Sequence, residues 1–136
     1  MTRAAKKVLI VRKKLKPLLE LKNKYKTTYK DIKKYFALLN IGLFKNKLKP
    51  FNDIIIKNLH LSNTLGQVII EDFDRKGTRI LRLEMSKYYS NKKDFLETLA
   101  HEMIHLYQFT LLNDTGNHNK AFFKFRPMFK KIGLTL

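Results

Sequence analysis

From Asn91 to Tyr107 the chain carries two superimposed patterns that one backbone conformation satisfies together. Phe95, Leu99, Met103 and Leu106 recur at three- and four-residue intervals, with Leu96, Ala100, Ile104 and Tyr107 beside them. That is the spacing of a helix with a broad apolar face. Within it stands His101-Glu102-Met103-Ile104-His105. Residues four apart lie one turn apart on the same helix face, so both imidazoles can reach a single zinc ion. Glu102 sits beside that face, where it can serve as general base toward a water activated by the metal. Asn91, with Asp94 three residues on, opens the helix.

A catalytic zinc takes three protein ligands and keeps one position open. Two histidines remain, His60 and His118. His118 follows Gly116-Asn117 just past the helix, where a turn can bring it back over the first pair, and it is the candidate third ligand. His60 ends a strand-like run and is expected to pack or to face solvent. Glu71, Glu84 and Asp114 stay open as alternatives.

The chain has 136 residues, the size of one domain, and 44% of them are hydrophobic, enough to bury a core. With no cysteine, thiolate catalysis, zinc ribbons, iron–sulfur clusters and disulfides are excluded. Val8-Leu9-Ile10-Val11 is too short to span a membrane or to form a signal-peptide core. The expected location is therefore cytoplasmic, with no membrane partner. Residues 1–24 form a basic segment, a helix or an arm, ahead of a domain over 25–136.

Thr28 with Asp31 starts a helix on which Ile32, Tyr35, Phe36 and Leu39 line one face. Gly42 and the Lys45–Pro50 stretch are expected to end it. Strand-like runs follow at Asp53–Leu61, Gln67–Phe73 and Thr78–Met85, the first two separated by a turn at Ser62–Gly66. The last two are joined by Asp74-Arg75-Lys76-Gly77, a hairpin signal. After the histidine-bearing helix, a loop at Asn113–Asn117 leads to a last helix over Lys120–Ile132. Gly133 closes that helix, and Pro127 is placed to kink or shorten it. The fold class is α+β: a small antiparallel meander of about three strands with helices packed on it.

Charge is uneven along the chain. Residues 1–50 hold 16 basic and 2 acidic side chains; residues 51–136 hold 13 and 9, for a net charge of +18. A field of that sign concentrates polyanions, and DNA bound through its phosphate backbone is the expected partner. Lys6, Lys7, Arg12, Lys13, Lys14 and Lys16 are the candidate contacts.

The sequence resembles the SprT-like zinc metallopeptidases, the family of the Spartan DNA–protein crosslink proteases. Tyr35-Phe36, Leu43-Phe44-Lys45-Asn46-Lys47-Leu48, and Ile80-Leu81-Arg82-Leu83 before the helix carry the likeness. So do Leu99-Ala100-His101-Glu102-Met103-Ile104-His105 and Gly116-Asn117-His118-Asn119-Lys120-Ala121-Phe122. It extends from about Tyr25 to the C-terminus. The resemblance implies a zincin-like fold, His101, His105 and His118 as zinc ligands, and Glu102 as catalytic base. Two departures stand out: Asn119 replaces the family's usual Gly after the third histidine, and the cysteine-ligated ribbon of many members is absent. A bare core of this kind suggests a bacterial, mobile-element or phage version.

The resulting expectation is a zinc endopeptidase acting on proteins associated with or crosslinked to DNA. In zinc peptidases the substrate lies extended along an edge strand, and Thr78–Met85 is the candidate rail. Tyr88, Tyr89 and Tyr107 are candidates to stabilise the oxyanion. The alternative is a basic nucleic-acid-binding protein with a structural or vestigial zinc site, for which retention of Glu102 has no use.

Overall fold

The computed structural model describes residues 2–59 and 63–136. His60, the end of the expected first strand and the start of the turn at Ser62 lie outside the described residues. Helix α1 (Arg3–Leu19) is capped by Thr2, whose hydroxyl accepts the Ala5 N–H at 3.1 Å. Its lysines and arginines are exposed while Val11 and Leu15 are buried, so the basic segment is a docked helix rather than a free arm. Strand β1 (Tyr25–Lys26) leads into α2 (Tyr29–Phe44), capped as expected by Thr28 accepting from the Asp31 N–H.

Gly42 does not end α2; it lies inside it. A Cβ at Gly42 would stand 2.8 Å from Val11 Cγ1, so the glycine is what lets α1 approach α2 closely. The helix stops two residues later, where Lys45 and Asn46 turn left-handed at φ 52° and 59°. Asn40 holds that turn, donating to the Leu48 carbonyl at 2.9 Å and accepting the Leu48 N–H at 3.1 Å.

Strands β2 (Asp53–Lys57), β3 (Gly66–Phe73) and β4 (Arg79–Ser86) form one sheet in the order β2-β4-β3. The β3–β4 hairpin is antiparallel, with Asp74 accepting the Lys76 and Thr78 N–H groups at its turn and Gly77 at φ 79°. The expected all-antiparallel meander is corrected at β2, which pairs parallel with β4, Ile54 opposite Leu83. Alternation fixes which face a residue takes but not which strand becomes its neighbour. Here β4 carries the most buried side chains, Leu81, Leu83 and Met85, and it takes the centre. Strands β2 and β3 flank it on opposite sides.

Strand β5 (Tyr88–Tyr89) pairs antiparallel with β1 in a separate two-stranded ribbon. Next comes α3 (Lys92–Thr110), started by Asn91 accepting the Asp94 N–H at 2.8 Å. Its apolar face, from Phe95 to Leu106, is buried against the sheet and against α2 and α1. Tyr25, Tyr35 and Tyr89 surround Phe95 with ring centroids 4.5, 6.2 and 5.7 Å away, which pins the ribbon to the start of α3. The expected last helix is divided into α4 (Lys120–Phe123) and α5 (Arg126–Lys131). Pro127 sits in the first turn of α5, where its missing N–H costs nothing. Among the described residues no helix is long and apolar enough to cross a membrane.

Candidate metal centre

Helix α3 presents His101 and His105 one turn apart, their ring centroids separated by 5.1 Å. The chain leaves α3, turns at Asn113 (φ 50°) and Gly116 (φ 78°), and returns His118 to the same place. A Cβ at Gly116 would collide with the Phe109 ring, so that turn needs both glycine's conformation and its missing side chain. His118 Nε2 then lies 3.2 Å from His105 Nε2. One ligand atom from each of His101, His105 and His118 falls within 4.8 Å of the other two. Phe122, fully buried on α4, packs against all three imidazoles with centroids 4.9, 5.2 and 4.5 Å away.

The other acids considered as third ligand are committed elsewhere. Glu84 lies on β4, taking Gln67 at 2.7 Å, Arg82 at 3.0 Å and Lys57 at 3.4 Å, and Glu71 takes Arg82 at 2.8 Å. Asp114 accepts from Asn119 at 2.9 Å and from the Thr115 N–H at 2.6 Å.

Gln108 is the site residue that the sequence reading missed. Its side chain is fully buried, and its Oε1 meets His105 Nδ1 at 2.9 Å. Its Nε2 donates to the Asn117 carbonyl at 2.8 Å. Because the amide nitrogen is spent on a carbonyl, the oxygen faces the imidazole. His105 therefore carries its proton on Nδ1 and a lone pair on Nε2, the atom turned toward the other histidines. Gln108 stands three residues after His105, so helical spacing carried the signal.

Asn119, where the family's usual residue is Gly, has an extended backbone (φ −100°) that any residue adopts. Its side chain accepts the Phe122 N–H at 3.1 Å, capping α4, and donates to Asp114. The departure thus braces the loop that delivers His118.

Burial, followed by the neighbouring His105 and His118, pulls His101 down to about 4, and burial also lowers His105. Both are neutral near pH 7, as a metal ligand must be. Burial pushes the Glu102 carboxyl up to about 8. The 3.9 Å between Glu102 and His101 is therefore a contact of neutral groups rather than an ion pair. A dication beside Glu102 would favour its carboxylate and reverse that shift. Three imidazoles, with no thiolate in the chain, are a donor set that fits zinc.

His101 and Glu102 open onto a cleft of about 330 Å³, also lined by Leu65, Gly66 and Thr98. A Cβ at Gly66 would be 2.8 Å from Thr98 Cγ2 and 3.4 Å from Glu102 Cγ, so β3 begins directly against the Glu102 turn. Thr78–Met85 cannot be the substrate rail, because β4 is paired on both sides. The strand edge beside this cleft belongs to β3.

The three tyrosines considered for the oxyanion each have a partner other than the histidines. Tyr89 donates to the Leu65 carbonyl at 2.5 Å, Tyr107 packs on Phe44 and Phe125, and Tyr88 lies beneath Lys24. Lys6, Lys7, Arg12, Lys13, Lys14 and Lys16 are all exposed on α1.

Residues 32–133 match the SprT-like family, a span that covers most of the chain. No curated protein and no solved structure matches it.

Proposed function

The chain belongs to the SprT-like family, and on that premise we propose that it is a zinc-dependent endopeptidase. The observation that carries this reading is the convergence of His101, His105 and His118 beside a buried Glu102 that lines an open cleft. A zinc ion held by these histidines would supply the Lewis acid that polarises the scissile carbonyl and acidifies a water. The chain's own contribution is proton handling. Glu102 takes the proton of the attacking water and delivers it to the leaving amine. The edge of β3 holds the substrate backbone in extended form, and the start of that strand sets its distance from Glu102.

The substrates in this reading are proteins associated with or crosslinked to DNA, brought close because the enzyme docks on phosphates through α1. Support comes from the charge of the first fifty residues, 16 basic against 2 acidic. Each phosphate contact adds roughly 0.9 to the slope of log affinity against log salt on duplex DNA. Replacing Lys6, Lys13 and Lys16 by Ala should flatten that slope, and an unchanged slope removes α1 from the DNA surface.

The deciding experiment compares the parent with Glu102→Gln after metal analysis of both. Both should hold about one zinc, since Glu102 is not a ligand. Cleavage of an unfolded protein substrate should fall by roughly 10²–10⁴-fold in the variant. Equal cleavage by the two proteins would mean that Glu102 is not the base. The same basic surface favours a second reading, a nucleic-acid-binding protein with a structural zinc. Zinc-loaded parent protein that binds DNA and cleaves nothing would select it.

A further inference from the structure

Beside the buried contact of Val11 with Gly42, the surface carries a feature that is not catalytic. Where α1, α2 and α5 meet, a groove of about 680 Å³ is open to solvent. Its floor is apolar: Val8, Val11, Leu38, Ile41 and Met128 line it. Ile10, which also lines it, is 51% exposed and Ile41 37%, a large amount of aliphatic surface to leave in water. The charged lining is of one sign. Arg3, Lys7 and Lys14 come from α1, Lys45 from beyond α2 and Lys131 from α5. No acidic residue lines the groove, and among the described residues none of these five cations forms an ion pair.

We propose that this groove is a docking site for an acidic amphipathic helix of a partner protein. An apolar stripe at i, i+4 and i+7 would fill the floor, and carboxylates flanking the stripe would meet the cationic rim. From Arg3 to Lys14 the α1 wall runs roughly 17 Å at 1.5 Å per residue, enough for about three turns of a partner helix. Two other occupants fit less well. A second copy of this chain would bring two cationic rims together. Nucleic acid would satisfy the rim but offers phosphates and sugars where the floor calls for aliphatic side chains. The rim is also distinct from the rest of the basic surface, since Lys6 and Lys13 stand on the same helix without lining the groove.

The test uses a fluorescein-labelled helical peptide of about 15 residues, with leucines at i, i+4 and i+7 flanked by glutamates. A second peptide of the same composition has its leucines spread around the helix, and a DNA duplex of about 12 base pairs is the third probe. The full chain should bind the patterned peptide at least about tenfold more tightly than the dispersed one. Ile41→Gln and Ile10→Gln keep the charge and remove apolar surface at partly exposed positions. Each should weaken the patterned peptide at least about fivefold, in line with a partly buried aliphatic side chain. The same substitutions should leave duplex binding within about twofold, and Lys6→Ala should leave the peptide within about twofold. Two independent positions guard against one variant failing to fold, which circular dichroism checks. Three results overturn the proposal: no binding of the patterned peptide, equal binding of the two peptides, or glutamine variants that weaken duplex and peptide alike. The last two would make the groove part of a polyanion surface.

Discussion

Gln108 joins His105 to the loop that carries His118. Its amide accepts from His105 Nδ1 at 2.9 Å and donates to the Asn117 carbonyl at 2.8 Å, one residue before His118. One buried side chain thus sets the tautomer of one candidate ligand and the position of another.

Replacing Gln108 should loosen the metal centre without touching a ligand. Gln108→Ala is expected to lower zinc affinity roughly 10–100-fold, the usual effect of losing a partner behind a ligand. Gln108→Glu keeps an acceptor for His105 but loses the donor to Asn117, so it should fall between Ala and the parent. Competition against a chelator of known affinity reads all three. Equal affinity in parent and Gln108→Ala would show that the hydrogen bond has no hold on the site.

The three histidines should act as a unit. His101→Ala, His105→Ala and His118→Ala should each lose stoichiometric zinc, and with it the stability that zinc confers on the folded chain. Glu84 and Asp114 are hydrogen-bonded to other partners and stand outside the cluster that the three histidines form. Elemental analysis of His118→Ala, purified without chelator or a metal-binding tag, is the sharpest check. Zinc retained near one equivalent would move the third ligand away from His118.

The pH dependence of the metal-free protein should expose Glu102. Its carboxyl ionises near 4.5 when unfolded and only near about 8 in the fold, because of burial. Across that window the folded state holds the extra proton, so stability declines as pH rises from 4.5 toward 8. His101 works in the other direction. Its folded value of about 4 lies below the unfolded 6.5, so its contribution is complete above 6.5 and lost as pH falls toward 4. Between 6.5 and 8 the decline from Glu102 is free of that opposing effect. Thermal melts in chelator should show it, Glu102→Gln should remove it, and added zinc should suppress it. The same slope in Glu102→Gln would place the titrating group elsewhere.

Gly66 sets how closely β3 approaches α3. An added Cβ would meet the Thr98 methyl at 2.8 Å. That methyl cannot easily turn away, because Thr98 Oγ1 donates to the Asp94 carbonyl at 2.8 Å. Gly66→Ala should therefore cost roughly 1–3 kcal/mol, the range for overpacking. Thr98→Ser keeps the hydroxyl and deletes the methyl, so the double variant should recover most of the loss in urea unfolding. Failure to recover would mean that the strain is taken up elsewhere.

Helix α1 should be needed for folding as well as for charge. Leu15 is 0% exposed, and Leu15→Ala should cost roughly 2–5 kcal/mol, whereas exposed Lys13→Ala should stay within about 0.5 kcal/mol. A small effect of Leu15→Ala in chemical denaturation would return this segment to the status of an arm.

By itself the sequence determined whatever depends on neighbours along the chain. Helix periodicity placed His101 and His105 on one face, Asn91 and Thr28 announced the helix starts they cap, and Gly77 and Pro127 marked the turn and the break. His118 was legible as the candidate third ligand because only a short loop separates it from α3, so a local turn suffices to return it. Tertiary structure decided what depends on contacts between distant segments. The central place of β4, and with it the loss of Thr78–Met85 as a free edge, follows from which strand has the most surface to bury; alternation along one strand cannot express that. Gly42 looked like a helix stop because its use lies thirty-one positions away, at Val11. Gln108 went unnoticed because its partners, apart from His105, belong to a loop that comes back over it. Short-range spacing specifies each element and the face it presents. Burial among elements far apart in sequence chooses their neighbours, and therefore which polar groups end up supporting the histidines.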